Sequence, residues 1–149
     1  MSYSSIFSST KTTKKKVFIS YDHSEDVDYK NMLKAWDANS NFEFEFDQRS
    51  PDMAINSDNA TKVKQALTAK MKEADYLLVI VGAKTSTSKW CTWEIDRAKM
   101  DDTKLKLAAV KLASTNATPP GLLNVGCAFT MSFTQEGVIK VLEEAKVGY

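Results

Sequence analysis

The sequence predicts a single α/β domain built around a parallel sheet, and three observations support this prediction. First, 149 residues with 43% hydrophobic content are enough for one substantial core but not for two. Second, short apolar runs alternate with segments of helical periodicity, which indicates parallel strands joined by right-handed crossovers. Third, the run 76–81 is apolar without alternation, which is typical of a central strand with helices over both faces.

The first half of the chain predicts two strand–helix units. The run 17–21 is short and apolar, so it predicts a buried strand, and the polar residues after it open a helix over 22–38. Residues 42–47 alternate strictly between phenylalanine and an acid, which predicts an edge strand with one buried and one charged face. A polar loop over 48–58 then leads to a helix over 59–74.

The second half continues the same alternation. The apolar strand 76–81 ends at a glycine and is followed by a helix over 88–101. Two further strands are predicted over 106–112 and 125–130, and a helix over 135–146 closes the chain. The sequence therefore predicts five strands and four helices.

The strand order follows from which strands are fully apolar. If the first and third strands are central and the alternating second strand lies at the edge, the order is 2-1-3-4-5. The topological switch point then lies between the first and third strands, and a ligand pocket is expected there. We expect this pocket to be lined by Ser20, Tyr21, Asp22 and His23 after the first strand, and by residues 83–90 after the third.

Composition limits the partners of the chain. Segment 1–14 is rich in Ser, Thr and Lys and has too little apolar content to offset the entropy of ordering, so we expect a flexible tail before a domain over 15–149. Twenty basic residues against 19 acidic ones leave a net charge of +1, which provides no global field for nucleic acid or an anionic membrane. Neither is an expected partner.

Cysteine usage and hydropathy indicate the compartment. Cys91 and Cys127 fall in a predicted helix and a predicted strand, which does not resemble a disulfide framework. The sequence shows no apolar stretch typical of a signal peptide and no run long enough to span a bilayer. We therefore expect a cytoplasmic protein.

Several site classes are excluded by residues that the chain lacks. A phosphorelay receiver needs an aspartate at the end of the third strand, where this chain has Val81-Gly82-Ala83. The turn after the first strand contains no glycine, so the Gly-x-Gly-x-x-Gly fingerprint of dinucleotide-binding folds is absent. With a single histidine there is no zinc-type cluster, and no metal site is expected.

The helix that follows the third strand carries the most informative residues. At about 100° per residue, Cys91, Ile95 and Ala98 form a narrow apolar stripe, and Trp90 and Glu94 lie together on one flank of it. Trp93 is rotated away from the stripe toward the more exposed side, where a large ring can serve as an anchor for self-association. Considered alone, Glu94 is either an ordinary solvated acid or a pocket carboxylate.

Two segments resemble a known family. Lys16-Val17-Phe18-Ile19-Ser20-Tyr21 resembles the opening strand of Toll/interleukin-1 receptor (TIR) domains, which have a flavodoxin-like fold. Ser88-Lys89-Trp90-Cys91-Thr92-Trp93-Glu94-Ile95 resembles their Ser-x-Trp-Cys-x-x-Glu helix. The stretch from Leu78 to Thr85, together with this helix, is similar to the bacterial TIR-like proteins of the Thoeris anti-phage system.

The resemblance implies an activity and a set of site residues. It implies cleavage of the nicotinamide–ribose bond of NAD, which is a substrate and not a cofactor, with Glu94 as the catalytic carboxylate. In some members the product is a cyclic ADP-ribose isomer that activates a partner effector protein. The expected substrate-binding residues are Ser20, Tyr21, His23, Asp47, Ser88 and Trp90.

Some of these residues have a second interpretation. Ser88 is placed to cap a helix before it contacts any ligand. His23 lies in a loop, where a histidine is often simply solvated. Asp47 precedes the segment that corresponds to the mobile loop of the family, but this segment lacks the glycine common there, so a role in assembly is in doubt.

Two rival functions stay open at this point. Many domains of this fold are adaptors that only bind one another, and a fold does not establish an activity. A nucleoside or nucleotide N-glycosidase would use the same carboxylate on a different substrate.

Overall fold

The computed structural model describes residues 14–47 and 54–149. Within them the chain alternates strands and helices, and short 3₁₀ turns at Thr85–Thr87 and Pro120–Leu122 precede α3 and β5. The elements are β1 Lys15–Ser20, α1 Val27–Asp37, β2 Phe44–Asp47, α2 Ala60–Glu73, β3 Tyr76–Val81, α3 Lys89–Ala98, β4 Lys106–Lys111, β5 Ala128–Thr130 and α4 Gln135–Glu144.

The five strands form one sheet in the order β2-β1-β3-β4-β5, and every neighbouring pair is parallel. The predicted fold class and strand order are therefore confirmed. In the register of the central pair, Ser20 lies opposite Val79, so the carboxyl ends of β1 and β3 meet at one edge of the sheet. The strand order reverses between these two strands, which is the position where open α/β sheets bind ligands.

Helices cover both faces of the sheet. Alternate strand residues, such as Ile19 and Ile80, pack with α1 and α4 in one buried cluster. Their neighbours, such as Phe18 and Val79, pack with α2 and α3 in a second cluster. Because each face of the sheet is covered, all six residues of β3 are buried, as its continuous apolar sequence predicts.

The outer edge of strand β2 is protected by side chains of a helix as well as by the charged side chains of the strand itself. Phe44 and Phe46 of the strand are buried and Glu45 between them is exposed, which confirms the predicted alternation. Phe46 directs its peptide groups away from β1 toward the end of α1. There the Asp37 carboxylate accepts a hydrogen bond from the Phe46 amide at 2.8 Å, and the Lys34 ammonium donates to the Phe46 carbonyl at 2.5 Å. Lys34 and Asp37 also form an ion pair at 3.3 Å.

The start of α1 differs from the prediction. The helix begins at Val27 and not at Asp22, because the intervening residues form a separate turn. The Asp22 carbonyl accepts from the amides of Glu25 and Asp26, while the Asp22 carboxylate accepts from the amide and the hydroxyl of Ser24. Such local bonds from an aspartate compete with helix formation, and here they delay it by five residues.

Other boundaries shift by smaller amounts. β1 begins at Lys15, two residues before the predicted start, and β5 is only three residues long. The predicted tail over 1–14 lies almost wholly outside the described residues, as does the part of the predicted loop over 48–53. Among the described helices, none has the length and apolar character needed to cross a membrane.

Candidate active site

A serine and a glutamic acid form a buried pair at the switch point. Ser20 is the last residue of β1 and is fully buried, and Glu94 in α3 is only 3% exposed. The Ser20 hydroxyl donates a hydrogen bond of 2.7 Å to Oε1 of Glu94. The structure thus brings together two of the predicted site residues, and it excludes the interpretation of Glu94 as a solvated helix acid.

Burial alters the protonation of this pair. Desolvation raises the pKa of Glu94 to about 8, and the hydrogen bond from Ser20 opposes the rise. The thiol of Cys91, one turn earlier, has its pKa raised to about 12 by burial and by the charge of Glu94. The site therefore holds a carboxyl group that takes up or releases a proton near neutral pH, which is typical of catalytic acids and bases.

The turn after β3 fixes where α3 begins. The Thr85 hydroxyl accepts a hydrogen bond from the Gly82 amide at 2.8 Å and donates one to the Ile80 carbonyl at 2.9 Å. Ser88 then caps α3, since its hydroxyl accepts from the Cys91 amide at 3.1 Å. The N-cap role predicted for Ser88 is confirmed. These bonds set the position of the helix that carries Glu94.

Two tryptophans of α3 pack against each other. Trp90 is 9% exposed, and its ring meets that of Trp93 edge to face, with centroids 5.8 Å apart and planes at 84°. Trp93 is half-buried against the same core cluster, and the Lys64 ammonium lies 5.9 Å from its ring centroid. As helical phase predicts, Trp93 is more exposed than the stripe residues Cys91, Ile95 and Ala98, but its ring packs against Trp90 and lies beside Lys64 of α2 and is not fully open to solvent. The two rings therefore support each other in the first turns of α3.

Asp26, which the sequence analysis did not single out, lies at the same edge of the sheet. It occupies the N-cap position of α1, yet its side chain makes no capping hydrogen bond. The carboxyl lies instead over Gly82, where a Cβ atom would approach Asp26 Oδ2 to 2.2 Å. Burial and the nearby charges of Asp22 and Glu25 raise the pKa of Asp26 to about 6. The available signal was a glycine directly after a buried strand, which often marks a close approach of another group.

The other expected site residues differ in exposure and in their contacts. Tyr21 is buried and His23 is exposed, with their ring centroids 6.5 Å apart. The Asp47 carboxylate lies 3.3 Å from the Lys70 ammonium of α2, so it forms an ion pair away from Glu94. For His23 and Asp47, the described contacts are with these neighbours and not with Glu94. Within residues 14–47 and 54–149, no group of three or more His, Cys, Asp or Glu side chains is arranged to hold a metal ion.

Comparison with known proteins agrees with this architecture. No curated protein matches the sequence at a significant level. Residues 18–117, about two thirds of the chain, match the family model described as Thoeris protein ThsB, TIR-like domain. The matched segment runs from β1 past β4 and includes Ser20, Asp26, Gly82 and Glu94. The chain therefore belongs to the TIR-like domain family of Thoeris protein ThsB.

Proposed function

We propose that this TIR-like protein takes part in anti-phage defence by cleaving the bond between nicotinamide and ribose in NAD. The observation that carries the proposal is the buried hydrogen bond between Ser20 and Glu94 at the switch point. A carboxyl group is costly to bury, and a domain that only binds partners gains nothing from it. A substrate with developing positive charge gives that carboxylate a function.

The chemistry needs few protein groups. The bond between C1′ of the ribose and the pyridinium nitrogen breaks, and its electron pair goes to the nitrogen, so nicotinamide leaves as a neutral molecule without a general acid. The ribose carbon becomes cationic, as in glycoside hydrolysis. Burial alone raises the pKa of Glu94 to about 8, and the cationic nicotinamide ring of bound NAD favours its ionised form. The Glu94 carboxylate then stabilises the ribosyl cation and holds the ribose hydroxyls, while the Ser20 hydroxyl orients the carboxylate.

The fate of the ribosyl cation decides the product. Attack by water, with loss of a proton, gives ADP-ribose, whereas attack by a ring atom or hydroxyl of the same molecule gives a cyclic isomer. Cyclisation requires water to be kept from the cation, and the Trp90 ring, supported by Trp93, provides an apolar wall for this purpose. We propose that a cyclic ADP-ribose-type product activates an effector protein of the same defence system.

The cysteines fit a cytoplasmic enzyme. Cys91 and Cys127 are both free, and burial raises the pKa of each thiol to about 12, so both stay reduced and unreactive in a reducing compartment. NAD is the substrate in this scheme, and no cofactor takes part.

The proposal is tested by replacing Glu94→Gln, which removes the charge at nearly constant shape. We expect release of nicotinamide from NAD to fall at least about 100-fold, as for loss of a group that stabilises the transition state. Asp96→Asn is the matched control, since it removes one carboxylate from an exposed position of the same helix. The control is expected to keep full activity, and circular dichroism checks that both variants are folded.

Three results would point to another function. Full turnover in a folded Glu94→Gln protein would rule out the mechanism. Self-association or partner binding without nicotinamide release by the unmodified protein would indicate an adaptor. Release of free base from nucleosides or nucleotides, with NAD left intact, would indicate an N-glycosidase.

A further inference from the structure

Asp26 is buried without the hydrogen bonds that its position offers. The residue is 5% exposed, and Oδ2 has no hydrogen-bond partner among the residues the structure describes. An aspartate at an N-cap ordinarily accepts from the second or third amide of the helix, yet this side chain does not. Its carboxyl is held over Gly82 instead.

This arrangement is unfavourable in the protein alone. An unpaired buried carboxyl loses its hydration and gains nothing in return. The charges of Asp22 and Glu25 make its ionisation still less favourable. Unsatisfied polar groups of this kind concentrate at functional sites, where a ligand supplies the missing partner.

The position of Asp26 relates it to the proposed reaction centre. Gly82 directly follows β3, and Ser20 ends the adjacent strand β1, so both lie at the carboxyl edge of the central pair. Glu94 approaches this edge from α3 on one face of the sheet, and Asp26 approaches it from the start of α1 on the other. A ligand bound at this edge would therefore have Glu94 on the side of α3 and Asp26 on the side of α1.

The local charge selects which part of a dinucleotide reaches Asp26. The charges of Asp22 and Glu25 help to raise the pKa of Asp26, and those of Glu94 and Asp22 help to raise the pKa of Cys91. Four acids therefore lie near the same edge of the sheet. A diphosphate is repelled by such a surface. The nicotinamide ring of NAD is cationic, and its carboxamide N–H₂ donates hydrogen bonds that a carboxyl oxygen accepts.

We propose that Asp26 binds the nicotinamide group of the substrate, accepting a hydrogen bond from its carboxamide while Glu94 faces the ribose. The inference rests on the proposed function, because it assigns a subsite of the same centre. Gly82 belongs to this subsite, since only a residue without a side chain leaves room for the Asp26 carboxyl above it.

The test measures three ligands, nicotinamide, NAD and ADP-ribose, by titration calorimetry. All proteins carry Glu94→Gln, so that NAD is not consumed. We expect Asp26→Ala to weaken nicotinamide and NAD binding by about tenfold or more, the usual effect of losing a hydrogen bond to a charged group. ADP-ribose, which lacks nicotinamide, should bind unchanged. Asp28→Ala is the matched control, because Asp28 is an exposed acid in the first turn of the same helix.

Two further measurements separate binding from a structural role. Asp26→Ala should not lower Tm relative to Asp28→Ala, since no described hydrogen bond of the Asp26 carboxyl is lost. A drop in Tm, together with equal losses of affinity for all three ligands, would overturn the proposal.

Gly82→Ala keeps the charge of Asp26 but displaces its carboxyl, so it should weaken nicotinamide binding similarly. The double variant Asp26→Ala/Gly82→Ala should bind nicotinamide no more weakly than Asp26→Ala alone. A loss of affinity equal to the product of the two single losses would contradict a shared role of the two residues.

The outcomes distinguish the subsite from the proposed function. If the unmodified protein releases nicotinamide from NAD but Asp26→Ala binds nicotinamide normally, the subsite is wrong and the function stands. If the unmodified protein cleaves no NAD, but Asp26→Ala weakens the binding of nicotinamide and NAD and not that of ADP-ribose, the subsite is supported and the proposed function is wrong. If the Glu94→Gln protein with Asp26 intact binds neither nicotinamide nor NAD, the proposed subsite is wrong.

Discussion

At the scale of single residues, the burial of Glu94 links proton uptake to stability. In the unfolded chain this carboxyl releases its proton near its ordinary pKa of 4.5, whereas burial raises the pKa in the folded chain to about 8. Between these two values the folded chain holds one more proton than the unfolded chain. The free energy of unfolding therefore falls as pH rises through this interval. Below pH 4.5 both states are protonated, and above pH 8 the loss is complete.

This difference predicts a pH-dependent effect of Glu94→Gln. A neutral glutamine cannot ionise, so the variant should lose less stability than the unmodified protein as pH rises from 5 to 8. The free energy of unfolding of the variant, minus that of the unmodified protein, should rise by up to roughly 1.4 kcal/mol for each pH unit in this interval. Urea unfolding at successive pH values measures it. Parallel stability profiles would show that the pKa of Glu94 is not raised in the folded chain.

At the scale of elements, the N-cap of α3 predicts a second stability effect. Replacing Ser88→Ala leaves the Cys91 amide without its side-chain acceptor, so the free energy of unfolding should fall by about 1 kcal/mol. Ser86→Ala, in the 3₁₀ turn just before, is the matched control, since no hydrogen bond of its side chain is described. Urea unfolding compares the two. Equal stability of both variants would contradict the capping role.

The elements also show what periodicity can and cannot predict. The alternation in β2 and the uninterrupted apolar run of β3 predicted their burial correctly, because side chains of a strand alternate between its two faces. The start of α1 was misplaced because the acids before it look like a helical first turn, whereas Asp22 organises a tight turn of its own. Periodicity describes a helix or strand in isolation and does not include such competing local bonds.

The same limit applies to the candidate site. Strand order predicted Ser20 at the pocket, whereas Glu94 was assigned to it through the family resemblance, because helical phase alone left Glu94 as either a solvated acid or a pocket carboxylate. The partial burial of Trp93 was not predicted, because helical phase gives an angle but not the contacts with the Trp90 ring and the Lys64 ammonium. Asp26 over Gly82 depends on the turn that precedes α1, so no spacing between the two residues could predict it.

At the scale of the whole molecule, the layered architecture predicts which backbone amides exchange slowest with solvent. β3 is paired on both sides and buried along its whole length, whereas β2 and β5 lie at the two ends of the sheet. Amide hydrogens of β3 should therefore exchange only through global unfolding, and those of β5 through smaller local openings. Hydrogen exchange followed by NMR measures the difference. Protection in β5 equal to that in β3 would contradict the prediction.

The bonds from α1 to Phe46 also limit how copies of the protein could polymerise. An outward-facing amide and carbonyl at the margin of a sheet would ordinarily template an incoming strand from another molecule. Here the amide is engaged by Asp37 and the carbonyl by Lys34, so a stacking neighbour would have to displace both side chains before it could add to the sheet. Filament growth by strand addition is therefore unfavourable at Phe46 on this margin of the sheet.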